Sequence, residues 1–207
     1  MSRLASSDIQ DLFARLTIAE RRSVRRRAIS FLRNEATRRS NEKLRSGAVR
    51  LLVALLPGTF AAIERVFQDT SSPLWYEIHF TMFAALRRED LSPLDQEQVL
   101  KLIRAYLLTI HSDAGFAAWK AGALLGDEWR GSCSLQILGE VLRSATHVAG
   151  RKAALHGIEH ALCGASEAET TYLTKLIRAS SRDDRSVELR RRARAALKGE
   201  GCGPRVA

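Results

Sequence analysis

His156-Gly157-Ile158-Glu159-His160 reads H-x-x-E-H. On a helix, histidines four residues apart share a face. That spacing suits two ligands to one zinc ion, with Glu159 beside them as a base. Cys163 follows three residues after His160, and His147 lies upstream. A hydrolytic zinc centre of this kind needs a further downstream carboxylate ligand and substantial flanking structure. Only 47 residues follow His160, and Gly157 weakens the helix that would carry the motif. The reading therefore assigns no metal and no cofactor, and keeps His156 and His160 as the candidate ligands. It places Lys152, His156, Glu159 and His160 on a solvated polar face, opposite Leu155, Ile158 and Leu162.

Two groups of arginines come next. Arg21, Arg22, Arg25, Arg26 and Arg33 occupy one arc of a helical segment whose other arc holds Val24, Ala28, Phe31 and Leu32. Arg190, Arg191 and Arg194, with Lys198, repeat the pattern opposite Leu189, Ala193 and Leu197. Such arcs suit phosphates, with a steep salt dependence. They equally suit the solvated outer faces of end helices, and that reading is preferred. No aromatic residues interleave the arginines, so stacking on single-stranded bases is not indicated.

The aromatic residues gather in the middle of the chain: Trp75, Tyr76, Phe80, Phe116, Trp119 and Trp129. Tryptophan is enriched among interface anchors. Trp119 falls within an apolar stripe and reads as core. Trp129, between Asp127-Glu128 and Arg130-Gly131 at a helix end, is the better candidate for an exposed anchor, against core packing as the commoner fate of a tryptophan. No phosphate-cradling glycine loop, dinucleotide fingerprint or nucleophile elbow is present, and the reading leans away from an enzyme.

The elements that must position these residues are helices. Ala (29), Leu (28), Arg (27) and Glu (14) make up 98 of 207 residues, against 29 for Val, Ile and Thr together, which argues against a β-sandwich or barrel. Helix-start signals recur: capping boxes at Thr17–Glu20 and Ser166–Glu169, and a cap before proline at Ser72-Pro73 and Ser92-Pro93. The expected helices run near 8–16, 17–38, 42–56, 59–68, 73–88, 93–111, 113–125, 132–144, 148–163, 166–179 and 186–198. Residues 1–198 are expected to form one all-helical domain, with 199–207 as a flexible tail.

The formal charge is +10. It divides into +8 for residues 1–50, −4 for 51–140 and +6 for 141–207. Arginine outnumbers lysine 27 to 6, a bias also expected of a GC-rich coding sequence. The longest apolar run, Leu51–Leu56, is far shorter than the ~20 residues of a spanning helix. Three cysteines without a CxxC pair give no disulfide framework. A cytoplasmic protein with no membrane contact is expected.

One stripe recurs: Val24-x3-Ala28-x3-Leu32, Ala117-x3-Ala121-x3-Leu125 and Leu189-x3-Ala193-x3-Leu197, with a degraded copy at Ala149, Ala153 and Gly157. A small central residue lets a neighbouring helix approach closely. On Val24–Ala28, Ala118–Asp127, Gly150–Leu155 and Asp184–Ala193, the chain resembles HEAT-like and armadillo-type helical repeat proteins. The resemblance implies an all-α fold, a right-handed α-solenoid of about four to five helix pairs, with a compact multi-helix bundle as the alternative. It implies a non-enzymatic protein-binding scaffold or adaptor, possible in a bacterial immunity-type role. Trp75, Tyr76, Trp119, Asp127, Glu128 and Trp129 would then meet the partner. The alternative is a nucleic-acid binder using the arginine faces. Helical-repeat DNA glycosylases carry a Trp/Asp arrangement in a basic groove, but this chain shares too little of it to transfer any residue's role.

Overall fold

The computed structural model of the protein describes residues 15–17, 19, 20, 23, 27, 64, 67, 68, 75–86, 88, 91–110 and 115–200. The described residues form helices joined by short turns and contain no strand, so the fold is all-α. No helix among them is long and apolar enough to cross a membrane. The helices are α1 (Trp75–Ala85), α2 (Pro93–Thr109), α3 (Gly115–Gly126), α4 (Ser132–Ser144), α5 (Val148–Leu162), α6 (Glu167–Asp183) and α7 (Val187–Leu197). The chain divides into two compact units, Met1–Val99 and Leu100–Ala207, and the division falls within α2.

In the first unit, Phe67 packs its ring 4.6 Å from Phe83 and 4.9 Å from His79, and Met82 and Leu86 are buried as well. The Thr17–Glu20 box forms: Thr17 N–H donates to Glu20 Oε2 at 2.8 Å, and Glu20 N–H donates to Thr17 Oγ1 at 3.3 Å. α2 begins at Pro93, where Ser92 Oγ accepts from the Asp95 amide at 3.2 Å. The arc carrying Arg21, Arg22, Arg25, Arg26 and Arg33 lies outside the described residues, as do most of the helices expected before residue 68.

The second unit is built around α3 and α5. Both are buried on nearly every side, as expected of helices rich in Ala, Gly and Leu. They touch backbone to backbone. A Cβ added to Gly122 would lie 2.0 Å from the Ala153 carbonyl oxygen, and one on Gly157 would lie 2.3 Å from that of Gly122. Gly126 is held as closely against Gly157. The seam on α5 is the degraded Ala149-Ala153-Gly157 stripe. On α3 it runs through Gly122 and Gly126, one position beyond the Ala117-Ala121-Leu125 stripe. Gly150 brings α5 equally close to α2 at Leu107.

α4 packs on α3 and α5, and α6 and α7 form the last hairpin. The Ser166–Glu169 capping box starts α6: Ser166 Oγ accepts from the Glu169 amide, and Glu169 accepts from the Ser166 amide. Ser186 caps α7 by accepting from the Leu189 amide at 3.3 Å.

Candidate functional site

The residues of the H-x-x-E-H segment meet α3 and α7 in one buried polar cluster. His156 is fully buried and Glu159 nearly so. This overturns the expected solvated face: that side of α5 is covered by α3 and α7. Trp119 of α3 stacks on the His156 ring, with centroids 4.0 Å apart and planes 12° apart. His160 meets the same ring edge-on at 4.4 Å. Arg192 of α7 reaches across to donate to Glu159 Oε2 at 2.9 Å, and its guanidinium lies 3.3 Å from His156 Nδ1.

His156 Nδ1 lies between a group that can only donate, the Arg192 guanidinium at 3.3 Å, and one that can only accept, the Glu159 carboxylate at 3.6 Å, so the ring's tautomer decides which of the two it serves. Nε2 is buried and has no hydrogen-bond partner among the described residues. Burial pushes the His156 imidazole below its ordinary value, and the nearby His160 and Arg192 act in the same direction. Burial opposes the charge on Glu159, but hydrogen bonds to His156 and Arg192 outweigh it and hold that carboxyl below its ordinary value. His160 Nδ1 pairs with Asp127 Oδ2 at 2.6 Å at the rim.

The arrangement can hold a planar indole rigidly. A fixed cation beside His156 Nδ1 repels a metal ion, and no three His, Cys, Asp or Glu among the described residues are grouped to hold one. The Cys163 thiol is raised by burial and by Asp127, so it is not an activated nucleophile.

A second charged link ties α5 to the loop before α7. Arg151 is buried and bonds Asp184 through Nε at 2.8 Å and Nη2 at 3.3 Å, and it also donates to the carbonyls of Ala145 and Thr146.

The expected roles of two tryptophans are exchanged. Trp129 is 2% exposed, because its amide bonds the Leu124 carbonyl and the turn after α3 folds it inward. Trp119 is 38% exposed and Phe116 is 73% exposed. With Gly115 they line an open apolar recess of about 310 Å³. Trp129 is therefore corrected from surface anchor to core residue. Asp127 is exposed at the cluster's rim, and Glu128 lies 3.9 Å from Lys120. Trp75 and Tyr76 lie on α1 in the other unit; Tyr76 is half-buried, and the Trp75 side chain is outside the description. Arg190 donates to the Asp184 carbonyl and is half-buried, whereas Arg191 and Arg194 are exposed.

Sequence reasoning did not find Arg192 as the partner of Glu159. The signal was faint: the third arginine of the Arg190-Arg191-Arg192 run, three residues after Leu189 and so on the side of α7 that Leu189 buries. Fold and site define an all-α protein with an aromatic surface supported by a buried ionic cluster. Comparison with known proteins gives no matching family profile, no matching curated protein and no matching solved structure.

Proposed function

We propose that the chain is a non-enzymatic protein-binding scaffold that docks its partner on the Phe116–Trp119 face of α3. The carrying observation is that Trp119 is a half-open indole fixed from beneath by its stack on His156. A rigid aromatic group with a free edge contributes binding energy without losing much freedom on association. Phe116 beside it extends the apolar contact, and Asp127 supplies a polar rim facing a basic partner.

A HEAT-like helical repeat is the architecture that best accommodates this. α3, α5 and α7 pack in succession while α4 packs on α6, which is the neighbour order that stacked helix pairs produce. A cytoplasmic, bacterial-type adaptor or immunity-type protein is the setting in which we read it.

The test is affinity capture from the source cell with the wild type and two variants, Phe116→Ser and Arg191→Glu. The reading expects a stoichiometric protein partner that Phe116→Ser loses and Arg191→Glu keeps. A partner retained by Phe116→Ser, or no stoichiometric partner for any of the three, contradicts it.

A further inference from the structure

The last helical hairpin has two faces that use charge in opposite ways. Three of its carboxylates are occupied by cations from elsewhere in the second unit, although that of Glu188 is itself exposed. Glu169 accepts from Arg130 at 2.7 Å, Asp184 from Arg151, and Glu188 from Lys152 at 2.6 Å. Among the described residues, Arg190 and Arg192 are the hairpin cations that turn to protein groups.

The outer face is left with cations. Lys175, Arg178 and Arg182 recur at i, i+3 and i+7 on α6, opposite the buried Leu173, Leu176, Ile177 and Ser180. Arg191, Arg194 and Lys198 repeat that spacing on α7 and its C-cap, opposite Leu189 and Ala193. Arg185 sits in the connecting turn. All seven are exposed and, among the described residues, none of these side chains forms an ion pair, although Arg191 lies within the field of Glu188. The hairpin's exposed carboxylates without a cation are Glu167 and Asp183. A face that served solubility alone would intersperse both signs.

We infer that this outer face binds the phosphate backbone of a nucleic-acid duplex. The inference goes beyond the docking reading and does not depend on it. Each row of three cations spans about 10 Å of helix axis, over which one DNA strand presents about three phosphates. Five of the seven cations are arginines, whose planar fork fits phosphate oxygens in pairs. An anionic membrane fits less well. Most of the apolar side of both helices is already buried, and of the hairpin's exposed apolar residues only Val187 is in line with the outer row of α7, Tyr172 and Leu197 lying to the side of the rows. The hairpin's exposed aromatic side chain, Tyr172, sits one turn before Lys175 and carries its hydroxyl to Gly139 of α4 rather than between the cations, so binding follows the duplex backbone rather than its sequence.

The experiment is fluorescence anisotropy of the full chain with a labelled mixed-sequence duplex of about 30 base pairs, read between ~50 and ~200 mM salt. If about five phosphates are engaged, affinity falls roughly 10²–10³-fold across that range, with no preference between unrelated sequences. The double charge reversal Arg182→Glu/Arg191→Glu weakens binding roughly tenfold or more at the lower salt, and Lys175→Glu/Arg194→Glu does the same. Phe116→Ser leaves it unchanged. Each variant is first checked for wild-type helicity by circular dichroism, and both pairs are exposed, so folding failure in one leaves the other as the test.

Several results overturn the inference: no duplex binding at the lower salt, binding that both reversals leave intact, or tighter binding to phosphatidylserine-containing vesicles than to duplex. Loss of binding through Arg25→Glu/Arg26→Glu alone, with both hairpin reversals silent, overturns it as well.

Discussion

α5 is joined to its two neighbours by opposite means. Toward α3 it removes side chains: Gly122, Gly126, Ala153 and Gly157 bring the two backbones into contact. Toward α7 and the loop before it, α5 keeps long charged groups and pairs them, Glu159 with Arg192 and Arg151 with Asp184. The first joint is governed by volume and is indifferent to pH. The second is governed by charge and holds a titratable ring, His156, at its centre. Trp119 belongs to both, since it rises from the tightly packed helix and rests on the ionic cluster.

The sharpest way to break the contrast is at the seam. Gly122→Val places branched carbons where even a Cβ would lie 2.0 Å from a backbone oxygen that cannot move aside, and the second unit is expected to lose its cooperative urea transition. At the ionic joint the largest loss is expected from Asp184→Ala. It strands the buried Arg151 charge and costs about 3–5 kcal/mol in chemical denaturation, whereas Arg151→Met with Asp184→Leu together cost much less than the two single changes summed.

A pH series sharpens the comparison further. The folded His156 value lies below the ordinary 6.5, so the unfolded chain takes up a proton first as pH falls. Stability is fully present above about pH 6.5 and declines as pH drops toward the folded value. A second loss, from Glu159, begins only below its ordinary 4.5. Urea midpoints measured across this range should therefore fall in two steps, and His156→Phe should flatten the upper one. The smallest effect is expected at Gly115, where an added Cβ meets nothing within 4 Å. Gly115→Ala should leave the midpoint unchanged or raise stability by up to about 1 kcal/mol.

Much of the fold was legible. The spacing predicts helices at 93–111, 132–144 and 148–163, and α2, α4 and α5 occupy 93–109, 132–144 and 148–162. Caps, prolines and apolar period are local signals, and they act locally. α6 runs four residues past its expected end, because Ser180 and Ser181 are buried against the rest of the unit and packing outweighs their weak propensity. The site was half legible. The His156–Glu159–His160 segment stood out, but its burial depends on Arg192, which lies 33 residues beyond Glu159. Periodicity cannot see such a partner. The exchange of Trp119 and Trp129 has the same origin. A tryptophan among charged residues at a helix end reads as exposed, until the turn's own hydrogen bond to Leu124 folds it inward.

Hydrogen exchange of the intact chain tests the two-joint account most directly. Amide protection in α7 and in α3 is followed from about pH 7.5 to about pH 5, corrected for the intrinsic rate at each pH. The account predicts that α7 loses protection as pH falls below the ordinary imidazole value of 6.5, while the Gly122–Gly126 stretch of α3 keeps its own. Equal loss in both helices, or α7 protection that does not change over that range, would contradict it.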